Sequence, residues 1–487
     1  MLEVAVMNIC FMCDLHLPFD ANALQYDVLD WAIADIHQRC PDCVIFAGDI
    51  TCDGNAETFH AFLQKMQQLD IPFLFIPGNS DLRCHETSAA LQKTSSNCEN
   101  IINGIKIFAV NDCTGEISDE QFLAIEKANA DSLLFMHHPP RALSSPCQQK
   151  MLAWRKRHPE TPLFFGHSHE SKIDGPDISL QAMDPDKASG ECPCMTYYDT
   201  DTKTLHKAFY SSPVPADFHQ HIGISCYRPL EHIQFATENG LKALELRPNC
   251  IHADQAALTA AISQWRQCGG ENLSIHLPDV EYHDGQISAG NIDQLIDLAN
   301  HLKANRFTQH VPLVSVRAVH AAPGILGQIC DYLAEKFNSL DHEIVIGVEN
   351  MHMTPKDQPD DTRRFGYLPE ECIAFMHELG RKCRYQVGIN FDIGHARNNV
   401  PYSKKYQIST WLSQIGHHAV GYHLHQVTLT DGKYQNHMPI THIYGKLISY
   451  ASFFKCWSSG RINKAPIIFE MRPEDAYEIT LKTFHRQ

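Results

Sequence analysis

No apolar run in this sequence approaches the ~20 residues that a membrane-spanning helix needs; the longest are strand-sized, such as IPFLFIP at 71–77. No membrane partner is therefore expected. Lys and Arg run no further than three together, at 155–157, and 40 basic against 57 acidic residues leave a formal net charge of −17. That balance disfavours nucleic acid as a partner, because duplex binding draws on clustered cations that displace counterions. It still leaves room for a locally basic pocket. The opening MLEVAVMNICFMC lacks a basic n-region and a small-residue cleavage site, so it reads as a first strand and not as a signal peptide. Low-complexity tracts and short-period repeats are absent. With no export signal, the 18 cysteines point to reduced thiols in a cytoplasmic protein. Cys10 with Cys13 and Cys40 with Cys43 have zinc-ribbon spacing, but they lie within or against strand patterns and are expected as buried thiols.

At 487 residues the chain is too long for one hydrophobic core and suggests two or three domains of ordinary soluble composition. The clearest seam is FYSSPVPADFH (209–219), which places a boundary near residue 215, between 1–215 and 216–487. Before it, short apolar runs at 4–12, 43–48, 72–77, 105–110, 132–138 and 162–168 alternate with helical stretches, as strands buried on both faces do. After it, strands are expected at 221–227, 241–247, 272–278, 311–320, 343–350, 385–395, 419–427 and 466–472. About eight βα units in roughly 270 residues is what a (β/α)8 TIM barrel requires, so the fold class is α/β throughout.

What the chain has in excess is histidine, 30 in all, and their placement carries the chemistry. In the first domain Asp14-Leu-His16, Gly48-Asp49, Gly78-Asn79, His137-His138-Pro139-Pro140 and Gly166-His167-Ser168-His169 stand where strands give way to loops. Open α/β sheets place their ligand sites there. Carboxylate, amide and imidazole without thiolate suit Mn, Fe, Zn or Ni. Two such ions need a bridging carboxylate, and Asp49, alone on its strand end, is the natural bridge. This ordered set resembles the calcineurin-like metallophosphoesterases over residues 1 to about 212. The resemblance implies an αββα sandwich holding two divalent metals, one on Asp14, His16, Asp49 and His169, the other on Asp49, Asn79, His137 and His167. His137 is preferred to His138 because the family's ligand stands two residues before a proline.

Most of that family carries a histidine after the Asn, able to protonate a departing alkoxide. Here the residue is Ser80, too weak an acid at neutral pH. Either His85 or His138 supplies the proton, or the substrate has a good leaving group, or the domain binds phosphate without rapid turnover.

The second domain places Glu245, His276, His320, Glu349, Asp392 with His395, His423 with His425, His437 and Glu470 near expected strand ends. The C-terminal face of a TIM barrel is where active sites of that fold lie; of His423 and His425 only one need face the interior. The segments VEN (348–350), DIGH (392–395), HLH (423–425) and FEMR (469–472) resemble the xylose isomerase-like barrels, which include the endonuclease IV type of AP endonuclease family 2. That resemblance implies Glu349, Asp392, His423 and Glu470 as one metal's ligands. His276, His320, His395 and His437 look like the extra histidines of the endonuclease branch, giving one to three Zn or Mn ions. Gln435 stands where that branch has an Asp, which weakens a third site. Arg247 and Arg472, each two residues after a glutamate (Glu245, Glu470), either hold a substrate phosphate or neutralise the acidic mouth.

The expected function is a two-domain metalloenzyme acting on a small phosphorylated sugar or nucleotide derivative. The first domain would cleave a phosphodiester or monoester, with Asp49 and Asn79 central to catalysis, and the barrel would isomerise, epimerise or hydrolyse. A repair nuclease and a metal-bound regulatory protein are the alternatives. Oligomeric state is not readable.

Overall fold

The computed structural model describes residues 7–84, 91, 95–283, 285–354 and 357–485, and the chain divides into two compact units. The first comprises residues up to Pro213 together with His442–Ser452; the second comprises Val214–Thr441 and the residues from Phe453 onward. The segment 442–452, expected within the barrel from its place in the sequence, thus groups with the first unit.

In the first unit, strands β1 (Asn8–Met12), β2 (Cys43–Ala47) and β3 (Phe73–Ile76) are parallel neighbours, extended on the β1 side by antiparallel β10 (Cys194–Asp199) and β11 (Thr204–Phe209). A second sheet runs in the order β4 (Glu99–Ile102), β5 (Ile105–Ala109), β6 (Leu133–Met136), β7 (Leu163–Phe165), β9 (Asp177–Ser179), β8 (Lys172–Asp174). The two sheets meet face to face. Alternate residues Ile9, Phe11 and Cys13 of the first sheet, and Cys43, Ile45 and Ala47 beside them, pack on Ile107, Ala109, Leu133, Phe135 and Phe164 of the second. Phe11 stacks on Phe164 with ring centroids 3.9 Å apart. The outer face of the second sheet is covered by helices Asp119–Ile125 and Ser145–Arg157, through Phe122, Ile125, Met151 and Trp154. This is the expected αββα arrangement, and it brings the C-terminal ends of β1, β2, β3, β6 and β7 to one edge.

The second unit is a closed eight-stranded parallel barrel. Its strands are β12 (Ile222–Cys226), β13 (Ala243–Leu246), β14 (Asn272–His276), β17 (Arg306–His310), β18 (Val345–Glu349), β19 (Gln386–Asp392), β20 (Ala419–Leu424) and β23 (Ile467–Phe469), with β20 and β12 both pairing with β23. Hairpins β15 (Glu281–His283)/β16 (Gln286–Ser288) and β21 (Gln426–Thr430)/β22 (Lys433–Met438) decorate the strand ends. The fourth barrel strand is not the apolar 311–320 but the preceding RFTQH, Arg306–His310. Its polar residues escape an apolar search because they serve the interior: Arg306 donates to the Val420 carbonyl and Thr308 Oγ1 donates to Glu245 Oε2 at 2.6 Å. Residues 311–315 instead lead into a helix, Val316–Ala321, capped by the Ser315 hydroxyl.

Phe164→Ala should remove about 3–5 kcal/mol from the first unit by opening a cavity between its sheets. Urea unfolding should then show that unit melting at lower denaturant, with the barrel transition unmoved.

Candidate metal centres

The loops after β1, β2, β3, β6 and β7 place Asp14, His16, Asp49, Asn79, His137, His167 and His169 together. Asp14, His16, Asp49 and His169 form one group with all ligand atoms within 4.8 Å. His16 Nε2 lies 3.0 Å from Asp49 Oδ2, and His137 Nε2 lies 3.5 Å from Asp49 Oδ1, so the carboxylate faces an imidazole on each side. Asn79 Oδ1 sits 3.1 Å from His137 Nε2 and 2.9 Å from His167 Nδ1. The loops hold this geometry at a conformational cost. Asp14 (φ 50°), His16 (48°), Asp49 (56°), His167 (63°) and His169 (59°) all adopt the left-handed region, a strain of about 1–3 kcal/mol per side-chain-bearing residue that persists at sites the surroundings over-determine. Gly78 is obligatory: a Cβ there would stand 2.3 Å from Asp49 Oδ1.

Outer partners fix the rings. His137 Nδ1 lies 3.0 Å from the Ala47 carbonyl, which makes it the protonated nitrogen and turns Nε2 to Asp49 and Asn79. His16 Nδ1 is 3.3 Å from Asp184 Oδ2. Asp112 accepts from the backbone N–H groups of His137 and His138, each at 2.8 Å, and its Oδ2 lies 3.2 Å from His138 Nδ1. Ser80 is fully buried: its N–H donates to Asp49 Oδ1 at 2.7 Å and its hydroxyl donates to the Thr51 carbonyl at 2.6 Å. The hydroxyl is thus spent on the loop.

In the barrel the strand ends present three further clusters, the first two sharing Glu349. Glu349, Asp392, His423 and Glu470 form a fully buried set; His276, His310 and Glu349 a second; His395, His425 and His437 a third. His423 Nδ1 is 2.8 Å from Glu470 Oε2 and 3.2 Å from Glu349 Oε1, while its Nε2 is 3.1 Å from Glu245 Oε2. His425 enters as well, its Nε2 3.1 Å from Asp392 Oδ1. A Cβ on Gly394 would fall 1.9 Å from His425 Cε1, so that helix start must be glycine. Arg247, itself nearly buried, reaches Glu470 Oε1 at 3.0 Å and Glu245 Oε1 at 3.4 Å.

Both centres fit divalent cations on their own electrostatics. Burial alone would raise the Asp49 carboxyl, but the His137 charge and the His16 hydrogen bond outweigh it and hold the acid well below the usual range. Burial likewise depresses His137, yet Asp49 and Asp14 lift it to about 9. In the barrel burial opposes ionisation of Glu349, but His423 and His310 keep it well below its ordinary value, and against burial Glu349 and Asp279 lift His310 to about 10. Without a cation, then, Asp49 and Glu349 keep their charge by holding protons on neighbouring imidazoles. Burial, with neighbouring imidazole charge, instead pushes His167 down to about 4 and His437 to about 3, leaving them neutral and fit to ligate. His169 Nδ1 is buried without a hydrogen bond, and His310 Nε2 faces the Glu349 carboxylate at 3.5 Å, so both imidazoles suit ligation.

Residues 7–180 match the family model described as the calcineurin-like phosphoesterase superfamily domain. The first unit is a calcineurin-like phosphoesterase domain. The chain is 24% identical over 217 residues to a probable cyclic nucleotide phosphodiesterase of Xenorhabdus bovienii, covering 36% of this chain and 87% of the relative. It is 33% identical over 116 residues to a probable glycerophosphodiester phosphodiesterase of Arcobacter nitrofigilis, covering 20% of this chain but only 42% of that relative. Over 54% of its length and 96% of the other's, it is similar to the solved structure of a Rhodospirillum rubrum protein described as a xylose isomerase, with 14% identity and a TM-score of 0.41.

The phosphoesterase centre draws together every residue the sequence assigned to it except His85, which lies outside the described residues. In the barrel Glu349, Asp392, His423, Glu470, His276, His395 and His437 converge, and His320 does not. It is exposed on the helix 316–321, and the imidazole at that barrel position is His310, the last residue of β17. Alternation of Arg306, Thr308 and His310 was the signal that could have revealed it. Gln435 is exposed on the β21/β22 hairpin. Of the proposed substrate groups, Arg247 and Glu245 are tied into the carboxylate network, whereas Arg472 is exposed. The zinc-ribbon pairs join no metal-holding group among the described residues, and all 18 cysteines are free. Asp112 and Asp184, which orient ligands without a motif of their own, had no sequence signal.

Ser80→Ala should leave the turnover of the phosphoesterase unit within about twofold and cost about 1 kcal/mol of its stability, the value of one hydrogen bond. Because a cation must displace the proton that His137 holds below pH about 9, metal affinity should rise steadily from pH 6 to pH 9, as measured by competition with a chromophoric chelator.

Proposed function

We propose that the phosphoesterase unit hydrolyses a phosphodiester or phosphomonoester of a small phosphorylated metabolite at a dinuclear centre. Asp14, His16, Asp49 and His169 would hold one divalent cation and Asp49, Asn79, His137 and His167 the other. The observation that carries this reading is Asp49, a single carboxylate flanked by the two imidazole sets. Bound there, the cation pair supplies charge neutralisation for phosphate oxygens and a water acidified to near neutral pH. Asp49 keeps the two ligand sets in register, and the Ala47 and Asp112 contacts stop His137 and His138 from turning away. The relatives described as cyclic nucleotide and glycerophosphodiester phosphodiesterases favour a small diester as substrate.

Leaving-group protonation falls to His138. Its ring centroid lies 4.4 Å from that of His167, and Asp112 engages its Nδ1, which leaves Nε2 to carry the proton. A cleft of about 230 Å³ lined by Pro139, Arg141, Leu152, Phe165 and Ser168 adjoins these ligand loops in the chain and offers room for the organic part of a substrate.

For the barrel we propose a second, metal-dependent activity of the isomerase, epimerase or hydrolase kind on a product or precursor of the same metabolite. Glu349, Asp392, His423 and Glu470 would hold the first ion, joined by His276, His310, His395, His425 and His437 for up to two more. Arg247 would set the charge of the carboxylate cluster. The three-histidine group His395, His425, His437 also favours a nuclease reading, against which the net charge of −17 weighs.

Asp49→Ala should lower phosphodiester cleavage by at least about 10³-fold, while Glu349→Ala leaves it unchanged; intact cleavage in the Asp49 variant would falsify the dinuclear assignment. His138→Ala should slow alkyl esters by about 10²-fold but nitrophenyl esters little, a contrast read from steady-state kinetics on the two ester classes.

A further inference from the structure

The phosphoesterase unit contains one segment from far along the chain. Residues 442–452, which follow β22 in sequence, group with the first compact unit although the residues on either side of them belong to the second. They form a tight reversal. Tyr444 and Ser449 pair as an antiparallel bridge, Gly445 N–H donates to the Ile448 carbonyl at 3.2 Å, and Tyr450 N–H donates to the Ile443 carbonyl at 3.0 Å. Ile443, Ile448 and Tyr450 are buried as its anchors. Lys446 stands at the tip, exposed.

The reversal is bonded to the metal-ligand scaffold. Gly190 N–H donates to the Tyr444 carbonyl at 3.0 Å, and Tyr444 OH donates to the Ser212 carbonyl at 2.8 Å. Ser449 N–H and the Ser452 hydroxyl both donate to Asp186. Gln25 Nε2 joins Asp186 to Asp184, at 3.2 and 2.9 Å, and Asp184 is the carboxylate beside His16. Ser189 N–H, one residue before the Gly190 that bonds Tyr444, donates to the His169 carbonyl at 2.9 Å, so the reversal is bonded beside the loop that carries His167 and His169.

Two lysines reach that side of the centre. Lys187 is committed, its Nζ 3.3 Å from Asp184 Oδ2. Lys446 makes no ion pair among the described residues. An ammonium held beside an anion-processing centre without a carboxylate partner is available to the anion. Ser80, whose hydroxyl is bonded to Thr51, provides no cation of its own.

We infer that Lys446, carried to the dinuclear centre by the 442–452 reversal, is a substrate-binding residue that contacts the non-bridging oxygens of the phosphate group. The inference rests on the phosphoesterase reading of that centre and adds to it a cation that no motif of the first 213 residues supplies. It also sets a preference: a second negative charge on phosphorus gains more from the added ammonium, so monoesters and free phosphate should depend on Lys446 more than diesters do.

Calorimetric titration of inorganic phosphate into the metal-loaded protein tests this, with metal content checked by elemental analysis. Lys446→Ala should weaken phosphate binding at least about tenfold at unchanged metal content, and Lys446→Arg should bind within about threefold of wild type. Equal affinity in wild type and Lys446→Ala would overturn the inference alone. An equal loss in the Ala and Arg variants would also overturn it, because the lysine would then matter only to the loop. Failure of the wild type to bind phosphate, together with failure to cleave diesters, would instead overturn the reading of the centre itself.

Discussion

The first unit depends on one buried carboxylate. Asp49 has no solvent to stabilise its charge, so everything around it is arranged to do so: His16 on one side, His137 on the other, the Ser80 N–H below. A buried anion costs several kcal/mol unless paired, and the loop ends that the sandwich brings to one edge pair it on both sides. The left-handed backbone at Asp14, His16, Asp49, His167 and His169, and the missing Cβ at Gly78, are local costs of that convergence. The sheet core behind it, led by Phe11 and Phe164, supplies the rigidity that lets the strain persist.

The barrel meets the same constraint with more charge. Glu245, Glu349, Asp392 and Glu470 are all buried, and one guanidinium, Arg247, touches two of them. Imidazoles answer the rest: His423 contacts Glu245, Glu349 and Glu470, and His425 contacts Asp392. Such a network is poor as a stabilising device, since apolar packing would serve a barrel mouth better. It is well suited to a site where cations exchange for protons.

Much of this was legible in the chain because metal ligands must stand at strand ends, and strand ends are marked by short apolar runs. Asp14, Asp49, Asn79, His137 and His167 could be found that way, as could Glu349, Asp392 and Glu470. His310 was hidden because its strand is polar; the barrel interior there is lined by Arg306 and Thr308, so the run looks like a loop. His320 was mistaken for it because VPLVSVRAVH is apolar, though it forms a loop and a capped helix. Ser80 could be seen to lack an acid proton, but not to be buried against Thr51. The 442–452 reversal could not be found at all, because its anchors Ile443, Ile448 and Tyr450 are ordinary apolar residues and its bonds to Asp186, Gly190 and Ser212 each span more than 200 positions.

The central claim is that each unit builds its own metal centre, the first one shared across Asp49. Anomalous diffraction from crystals of the manganese-loaded protein measures this directly. Two peaks flanking the Asp49 carboxylate, with at least one more among Glu349, Asp392, His423 and Glu470, is the predicted result. A single peak beside Asp49, or none, would contradict it.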